Sequence, residues 1–423
     1  MNPLNRRQDK QVHVGIDIGS SKICCAIVET NPANNATKVL GLGSKPFSGM
    51  RKGSLIHIDK TIDTLEEVLR EAELMANVKV ERAVLSLSGE HIRGINTQGA
   101  IAVHKSSTQN IPVEHEINAQ DVHRVLELSK AISLPMDRDI LHVLPQEYII
   151  DTMGSIKDPV GMSGRRLEAK IHLITTATTA AKNIAKCAEE LGIQVEGLVF
   201  QALSASLPTL TRDEKELGVA LVDIGAGTTD ITVYHEGGVR HSAVLGIGAN
   251  SITHDIAMML QISIEEAEKI KLKYASAKAA MSSTELDFEL PAAEGELVRR
   301  VTEHELSRYV EARMVEVFQM VAREISRADI HERLTFGVVL TGGGAMLRNI
   351  VSLASEVFQE PVRIGTPKGI SGVVDVASSP IYATVLGLTQ WKTREEEFNP
   401  GLLPDKTLNQ VWGKLKKWFK EFF

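Results

Sequence analysis

Two stretches of the chain share one order of apolar and polar positions. Val12–Val28 and Gly218–Tyr234 each contain an apolar run, the tripeptide Asp-Ile-Gly, a short polar turn and a second run rich in β-forming residues. This order predicts two strands joined by a glycine-rich bend, a β-hairpin. The copies lie too far apart for a solenoid repeat, so we expect two related domains that face each other.

A third stretch, Phe336–Ile350, begins as an apolar strand, continues into Gly342, Gly343 and Gly344, and ends in an apolar segment compatible with a helix. Glycines at a strand-to-helix junction let backbone amides approach a ligand, and the N-terminus of a helix favours negative charge. Alone, this stretch is equally compatible with an ordinary βα turn, and one Asp-Ile-Gly alone would indicate only a tight turn. The three stretches together predict a phosphate-binding site.

The groups that these bends present indicate what they bind. Consecutive N–H groups at residues 19–22 and 225–229 can form anion-binding nests, and Lys22 adds a positive charge. Asp17 and Asp223 would repel a phosphate directly, so we interpret them as ligands of Mg²⁺ through its water molecules. The residues of the three stretches that we expect at this phosphate-binding site are Asp17, Gly19, Ser20, Ser21, Lys22, Asp223, Gly225, Ala226, Gly227, Thr228, Thr229, Gly342, Gly343, Gly344 and Ala345.

Composition and charge argue against several classes of protein. The chain of 423 residues has a formal net charge of −7, which provides no basic footprint for nucleic acid. No apolar run is long enough to cross a membrane and no signal peptide is evident, so we expect a cytosolic body. The 3 cysteines match neither a disulfide framework nor a metal site. The sequence also lacks P-loop, Rossmann, HExxH, GxSxG and CxxC motifs.

The end of the chain departs from this average composition. Aromatic residues make up only 4% of the sequence, yet they recur among lysines in its final segment. On a helical wheel of about 100° per residue, the charged residues take one side, and the apolar face consists of Leu408, Val411, Trp412, Leu415, Trp418, Phe419, Phe422 and Phe423. Such a helix is typical of segments that lie on anionic membrane surfaces. A core helix that packs back on the body is the alternative, but the charged, proline-containing stretch 391–407 predicts a flexible tether.

The glycine stretches occur in the order found in the superfamily of actin, Hsp70 and sugar kinases. DIGSSKI resembles its first phosphate motif, DIGAGTTDI its second and TGGGAML its adenosine motif, while FQALSAS and SSPIYATVLGL resemble its two connecting helices. GMRKGSLIHID, GSIKDPVGMSGRRLEA and the amphipathic end resemble, more narrowly, the FtsA family of bacterial cell-division proteins. The resemblance implies an α/β, actin-like (ribonuclease H-like) fold, with duplicated domains around a nucleotide cleft, a small inserted α+β subdomain and a C-terminal amphipathic helix.

The resemblance also implies a division into subdomains. Actin's small subdomain on the first half has no room here, and an inserted segment lies elsewhere in that half. This segment contains strand-like runs and one helical pattern but no catalytic grouping, so an interaction role suits it. The implied units are large subdomain 1A at 1–83 and 169–205, inserted subdomain 1C at 84–168, large subdomain 2A at 206–245 and 320–390, small subdomain 2B at 246–319, a linker at 391–407 and a membrane-targeting helix at 408–423.

Further site residues follow from the resemblance. Glu268 and Lys271 match the helix that reaches ribose and adenine, and an exposed ion pair at i, i+3 is the alternative explanation. Gly248 and Asn250 complete the implied nucleotide site. Gln201 matches the actin residue that positions water for ATP hydrolysis, and capping or packing of a helix is its alternative role.

A basic region in the second half is the implied docking site for a partner. Apolar residues from 306 to 321 recur at helical spacing beside several arginines. A core-facing helix with a solvated basic edge explains this pattern by itself. By resemblance, the region would bind the C-terminal peptide of the tubulin-like division protein FtsZ, with the arginines Arg299, Arg300, Arg308 and Arg313 as candidate contacts.

The resemblance therefore implies an ATP- and Mg²⁺-binding protein that hydrolyses ATP slowly at most. It would form filaments on the cytoplasmic face of the bacterial inner membrane at the division septum, tether the FtsZ ring and recruit downstream division proteins through the inserted subdomain. A small-molecule kinase is one alternative, but it needs a general-base aspartate and a substrate pocket and leaves the amphipathic end unexplained. An Hsp70-like chaperone is another, but too few residues follow Leu388 for a peptide-binding domain.

Overall fold

The structure, a computed structural model, describes residues 11–31, 36–103, 115–290, 299–328 and 334–398. The first described elements are β1 (Gln11–Ile18), β2 (Lys22–Asn31), β3 (Ala36–Pro46), β4 (Met50–Arg51), β5 (Ser54–Leu55), α1 (Ile58–Ala76) and β6 (Arg82–Leu87). They are followed by β7 (Arg93–Ala102), β8 (His115–Glu116), α2 (Ala119–Lys130), β9 (Arg138–Ile150), β10 (Met153–Ile156), β11 (Ser163–Gly164), β12 (Arg166–Ala177), α3 (Thr178–Glu189), β13 (Gln194–Phe200), α4 (Gln201–Thr209) and α5 (Arg212–Leu217). The second half contains β14 (Val219–Ile224), β15 (Thr229–His235), β16 (Gly238–Leu245), α6 (Ala249–Leu260), α7 (Ile264–Tyr274), β17 (Asp287–Glu289), β18 (Arg300–Thr302), α8 (Glu303–Ser326), β19 (Val338–Thr341), α9 (Ile350–Phe358), β20 (Val362–Ile364), β21 (Ile370–Gly372), α10 (Val374–Ala377) and α11 (Ala383–Phe398).

The first Asp-Ile-Gly stretch forms the predicted hairpin, in which β1 pairs with β2 and Asp17 lies opposite Cys24. The hairpin is central in a six-stranded sheet of order β13-β6-β1-β2-β3-β21. The last five residues of β1 are all buried, as expected for a strand covered on both faces. α1 lies directly on this sheet, because Gly41 and Gly43 have no Cβ that would collide with the carbonyl oxygens of the helix.

The second Asp-Ile-Gly stretch forms the hairpin of β14 and β15, with Asp223 opposite Asp230. It lies in a five-stranded sheet of order β16-β15-β14-β19-β20, in which β19 runs parallel to β14. β14, β15, β16 and β19 thus repeat the arrangement of β1, β2, β3 and β6. One apolar core surrounds Ile16 and Leu85 and extends to Leu221 of the second sheet, and another surrounds Val222 and Ile256. The duplication predicted from the sequence is confirmed.

A separate four-stranded sheet of order β10-β9-β12-β7 lies between β6 and α3 in the chain. α2 packs on it, and a capping box at Asn118 satisfies the free amides at the start of this helix. Val84 lies in β6, which pairs with β1 and not with the insert, whereas β12 continues past Glu168 to Ala177. The observed sheet therefore begins and ends later than the interval 84–168. Pairing partners decide to which sheet a strand belongs, and the pattern of a strand does not reveal them.

A small unit of α6, α7, α8 and the paired strands β17 and β18 packs against the second sheet. Leu306, Val310, Met314 and Val317 of α8 are buried, as the helical spacing predicts. The Thr302 side chain caps this helix by accepting a hydrogen bond from the amide of Glu305. The apolar pattern of α8 is therefore explained by packing against the core.

The two helices predicted to connect the halves, α4 and α11, cross each other at small residues. A Cβ on Gly387 would collide with the carbonyl oxygen of Ser204. The Ser204 hydroxyl in turn donates to the carbonyl oxygen of Thr384 over 2.8 Å. The sheets are thus joined through a crossing that admits no larger side chain.

The end of α11 corrects the predicted start of the linker. The stretch 391–407 was expected to form a flexible tether, but α11 continues to Phe398 and Trp391 is buried. Residues such as Lys, Arg and Glu favour helix, and Pro400 then opposes its continuation. The predicted amphipathic helix at 408–423 lies outside the described residues. Within the described ranges, no helix is long and apolar enough to span a membrane.

Candidate functional site

A cleft of about 430 Å³ lies where the three glycine-rich stretches meet. Its walls come from both large sheets and from the small unit of α6, α7 and α8. Most residues predicted from the sequence line it, namely Asp17, Gly19, Ser20, Ser21, Lys22, Gln201, Asp223, Gly225, Ala226, Gly227, Thr228, Asn250, Glu268, Lys271, Gly342, Gly343 and Gly344. Tertiary structure thus brings together residues that are distant in the chain.

The two hairpin bends have the same local geometry. The amide of Gly19 donates to the carbonyl oxygen of Lys22 over 3.0 Å, and the amide of Gly225 donates to that of Thr228 over 2.9 Å. The bends face each other, since a Cβ on Gly227 would lie 2.5 Å from Ser20 Oγ. We call residues 19–22 and 225–228 the hairpin end of the cleft. Opposed bends of this kind can present backbone amides to one anion from two sides.

The third glycine stretch differs in detail from the prediction. A 3₁₀ turn, Gly343–Met346, follows β19, and α9 begins only at Ile350, so the glycines do not form the N-terminus of an α-helix. Gly342 has φ +81°, and a Cβ there would collide with Asp223. Glycine is therefore required for the close approach of this loop to β14.

Two carboxylates lie at the centre of the cleft. Asp17 accepts hydrogen bonds from Ser86 Oγ at 2.6 Å and from Gln201 Nε2 at 2.9 Å. Asp223 accepts one from Thr384 Oγ1 at 2.9 Å. Burial, together with the negative charge of Asp17, raises the pKa of Asp223 to about 6 despite the hydrogen bond from Thr384. A cation between the two carboxylates would relieve this unfavourable electrostatic arrangement.

The residues at this position fit a Mg²⁺ ion bound mainly through water and phosphate oxygens. Within the described residues, no group of three or more His, Cys, Asp or Glu side chains could hold a metal by itself. Asp17 and Asp223 provide oxygen ligands of the type that Mg²⁺ prefers, and Mg²⁺ usually retains several waters. The water-mediated role of the two aspartates stays a prediction.

Gln201 lies in the cleft at the first residue of α4. Its amide nitrogen donates to Asp17 Oδ1 at 2.9 Å and lies 3.4 Å from Ser86 Oγ. The side chain therefore contacts a predicted metal ligand. Its role in positioning water stays a prediction.

The opposite end of the cleft is formed by α7 and the loop that contains Gly342–Gly344. Lys271 is buried, and its Nζ lies 2.6 Å from Glu268 Oε2 and 2.9 Å from Thr253 Oγ1. The ion pair at i, i+3 is thus present, and both residues also line the cleft. Leu272 and Met346 line the same end as exposed apolar side chains. An apolar wall beside a charged pair suits a ligand with a flat ring and polar substituents.

Three of the residues predicted for the nucleotide site do not line the cleft. The hydroxyl of Thr229 is buried and donates to the carbonyl oxygen of Ile247 over 2.8 Å. Gly248 precedes α6 and packs against the carbonyl oxygens of Gly225 and Ala226. Ala345 belongs to the apolar core beneath the 3₁₀ turn. These residues shape the loops, and their side-chain positions do not face the cleft.

The sequence analysis missed several residues in and beside the cleft, most notably Asp230, which does not itself line the cleft but contacts residues that do. Its carboxylate accepts hydrogen bonds from Ser88 Oγ at 2.5 Å and from Thr228 Oγ1 at 2.9 Å. Burial and the nearby charge of Asp223 raise its pKa to about 8. Ser86 and Thr384 were also missed. Asp230 is the second-last residue of the quoted motif DIGAGTTDI and could have been singled out there, whereas the two hydroxyl residues carry no local signal.

The four arginines predicted to contact a partner all belong to the small unit around α8. Arg313 forms hydrogen bonds of 2.6 and 2.9 Å with Asp255, and Arg300 pairs with Glu289 at 2.8 Å. Arg299 donates to the carbonyl oxygen of Leu260, and Arg308 is exposed. None of the four lines the cleft among the described residues. Their contact with a partner stays a prediction.

Comparison with solved structures identifies the class of fold. A PilM-PilN type IV pilus biogenesis complex matches with a TM-score of 0.65 and 16% identity, over 93% of this chain and 99% of that one. MreB 5 of Spiroplasma citri bound to AMPPNP matches with a TM-score of 0.54 and 13% identity, over 92% and 98%. Together with the duplicated sheets, these matches define the protein as one with an actin-like fold.

Sequence comparison identifies the family. The family models "Cell division protein FtsA" and "SHS2 domain inserted in FTSA" match residues 220–387 and 89–175. Cell division protein FtsA of Pseudomonas aeruginosa is 36% identical over 98% of this chain and 99% of its own length. That of Escherichia coli K12 is 34% identical over 98% and 99%. The chain therefore belongs to the FtsA family of cell-division proteins.

Proposed function

We propose that this protein binds Mg-ATP in the cleft between its two halves. The observation that carries the proposal is the convergence of the two hairpin bends with Asp17 and Asp223 at one position. The bends would hold phosphate oxygens through backbone amides. The opposite end, with Glu268 and Lys271, would hold the ribose and the base.

The residues of the chain have distinct roles in this proposal. Bound Mg²⁺ would neutralise charge on the phosphates. Asp17 and Asp223 hold its waters, and Ser86 and Thr384 orient the two carboxylates by hydrogen bonds. Gln201 orients a water at the terminal phosphate, which requires no proton transfer to the amide. A neutral amide can orient water but cannot act as a general base, so we expect slow hydrolysis of ATP at most. The main role of the protein would then be structural.

Calorimetry tests the nucleotide part of the proposal. Asp17→Ala should weaken binding of Mg-ATP, because one of the two carboxylates at the metal position is lost. Measurement with and without Mg²⁺ separates the metal-dependent part of the affinity. Full affinity of the variant in the presence of Mg²⁺ would remove the proposed role of Asp17.

We further propose that the protein polymerises on the cytoplasmic face of the inner membrane at the division septum. The apolar face predicted at Leu408–Phe423 would lie in the headgroup region of an anionic bilayer, with the lysines toward the lipid charges. Binding by one such helix is reversible, and a filament that presents many of them gains avidity by orders of magnitude. Membership of the FtsA family supports this part of the proposal.

The protein would thereby tether the FtsZ ring and recruit further division proteins. The small unit around α8 would bind the C-terminal peptide of FtsZ, with its arginines as candidate contacts. The inserted subdomain would bind downstream partners, because its described residues form a core of their own and its sequence has no recognisable catalytic grouping. We retain the subdomain division as an interpretation, with the limits of the inserted segment and the start of the linker changed as described for the fold.

Electron microscopy on anionic lipid monolayers with Mg-ATP tests the whole proposal. The full chain is compared with a chain that ends at Lys406. Filaments that form on lipid with the full chain and vanish with the shorter one would support both polymer and membrane anchor. Dispersed particles from both chains would contradict the scaffold function.

A further inference from the structure

A short hairpin lies at the rim of the cleft, where its turn approaches the hairpin end. β4 and β5 form this hairpin, and Met50 and Gly53 line the cleft. Gly53 has φ +78° and packs on the carbonyl oxygen of Ser88, so a Cβ there would lie only 2.6 Å from that oxygen. The turn is thus held against the end of β6 by a position that only glycine can occupy.

Lys52, at the tip of this turn, has an unusual backbone conformation. Its φ is +50°, in the left-handed region that few residues other than glycine, asparagine and aspartate adopt. Strained backbone of this kind is concentrated at functional sites. The turn lies beside the second bend, because the backbone nitrogen of Lys52 is 3.4 Å from the position that a Cβ on Gly227 would occupy. Ser20 Oγ lies 2.5 Å from the same point.

Three segments therefore converge at the hairpin end: the first bend, the second bend and the Lys52 turn. Lys22, the cation of the first bend, already has contacts with other residues of the protein. Lys22 Nζ donates to the carbonyl oxygen of Ile381 at 2.7 Å and lies 4.8 Å from the centre of the Tyr382 ring. If the ligand carries a further phosphate group on the side of the rim, that group would need a second positive charge nearby.

The Lys52 side chain can provide this charge at little cost. Its Nζ pairs with Glu90 Oε1 at 3.6 Å, and the two side chains are 52% and 55% exposed. An ion pair this long and this exposed contributes little to stability. Glu90 itself packs against Gly246 of the opposite half. Lys52 is thus a cation at the rim that a stronger anion could draw away from Glu90.

We propose that Lys52 binds the terminal phosphate of a nucleoside triphosphate and so distinguishes the triphosphate from the diphosphate. Lysine binds phosphate as a point charge with three donors, and it needs no fixed geometry to do so. Glu90 holds the side chain at the rim and competes with the phosphate for it. This inference rests on the nucleotide binding proposed above and adds a γ-phosphate contact to it.

The affinities of the full chain for Mg-ATP and Mg-ADP, measured by calorimetry, test this inference. Lys52→Asn removes the charge but tolerates the left-handed backbone, and it should weaken Mg-ATP binding about tenfold and leave Mg-ADP binding nearly unchanged. Lys52→Arg should retain most of the affinity for Mg-ATP. Glu90→Gln should strengthen Mg-ATP binding about threefold, because the competing carboxylate is lost. The exposed Lys79, changed to Gln, is the matched control.

The outcomes separate this inference from the proposed function. Equal weakening of both nucleotides by Lys52→Asn would overturn it, since the lysine would then support the turn and not the terminal phosphate. Unchanged affinities in Lys52→Asn, or no gain in Glu90→Gln, would also overturn it and leave nucleotide binding intact. If the unaltered chain binds neither nucleotide, the proposed function fails before this inference is reached.

Discussion

His172 illustrates how one buried residue ties the inserted sheet to the second half. It lies in β12 and is fully buried; its Nδ1 lies 2.6 Å from Asn96 Oδ1 and its Nε2 lies 2.7 Å from Ser242 Oγ of β16. Burial, with a smaller effect of the nearby His241, lowers the pKa of His172 to about 3. The folded protein therefore keeps this imidazole neutral where the unfolded chain takes up a proton.

This difference predicts a loss of stability in acid. The unfolded histidine binds a proton below about pH 6.5, while the folded one does not until about pH 3. The contribution of His172 to the free energy of unfolding is therefore fully present above about pH 6.5. It is lost progressively as the pH falls from there toward about 3. His172→Gln should reduce the slope of unfolding free energy against pH by about 1.4 kcal/mol per pH unit.

Urea denaturation at several pH values between 7 and 4 measures that slope. The exposed His254 of α6, changed to Gln, is the control and should leave the slope as it is. A slope that is the same in His172→Gln and in the unaltered protein would contradict the assignment of a neutral, buried imidazole. Partial burial also lowers the pKa of His91, so some acid sensitivity should remain in every variant.

At the scale of elements, the crossing of α4 and α11 decides how the two halves meet. Gly387 contacts the backbone of Ser204, and Thr384 of α11 holds Asp223 in the cleft. Gln201 at the start of α4 holds Asp17. The two helices thus carry one residue each that orients a central carboxylate. Any change in the separation of α4 and α11 should therefore alter the positions of Asp17 and Asp223 in the cleft.

Gly387→Ala should therefore destabilise the protein by about 1–3 kcal/mol, because the added methyl group overpacks the crossing. It should also weaken Mg-ATP binding, since Thr384 is displaced with the helix. Thermal unfolding with and without Mg-ATP measures both effects. Gly197→Ala is the matched control, because a Cβ there meets no atom within 4 Å. Equal stability of the two variants would show that the crossing can adjust.

At the scale of the whole molecule, the inserted sheet covers an open edge of the second large sheet. Gln146 Nε2 donates to the carbonyl oxygen of Val239 at 2.7 Å, and Asn96 Nδ2 donates to that of Arg240 at 3.0 Å. Both carbonyls belong to β16, the edge strand. Unpaired edges invite association with other strands. The insert therefore protects this edge as well as offering a surface of its own.

The proposed membrane anchor acts at the same scale. Trp412→Glu should release the protein from vesicles that contain anionic lipid, because a charge then interrupts the predicted apolar face. Affinity for Mg-ATP should not change, since the cleft is built from other residues. Gln410→Glu adds the same charge on the predicted polar face and should weaken vesicle binding much less. Sedimentation with vesicles measures both, and equal binding of Trp412→Glu and the unaltered chain would refute the anchor.

Much of the fold was accessible from local pattern. The hairpins at Asp17 and Asp223, the helical pattern from 306 to 321 and the glycine turns were predicted because each depends on residues that are neighbours in the chain. The limits of the inserted sheet and the end of α11 were not predicted correctly. In both cases the outcome depends on pairing or packing with distant segments. The rings of Trp391 and His142, for example, pack with their centres 4.9 Å apart.

The sequence by itself determined that two Asp-Ile-Gly hairpins and a glycine loop exist, because turn chemistry and hydrophobic alternation are local properties. Tertiary structure alone decided that Ser88 meets Asp230 across 142 positions of the chain and that Ser86 meets Asp17 across 69. It alone also decided that Lys52 lies beside Gly227. Such contacts are set by how sheets and helices pack, and packing depends on the sum of many distant interactions that no short stretch of sequence contains.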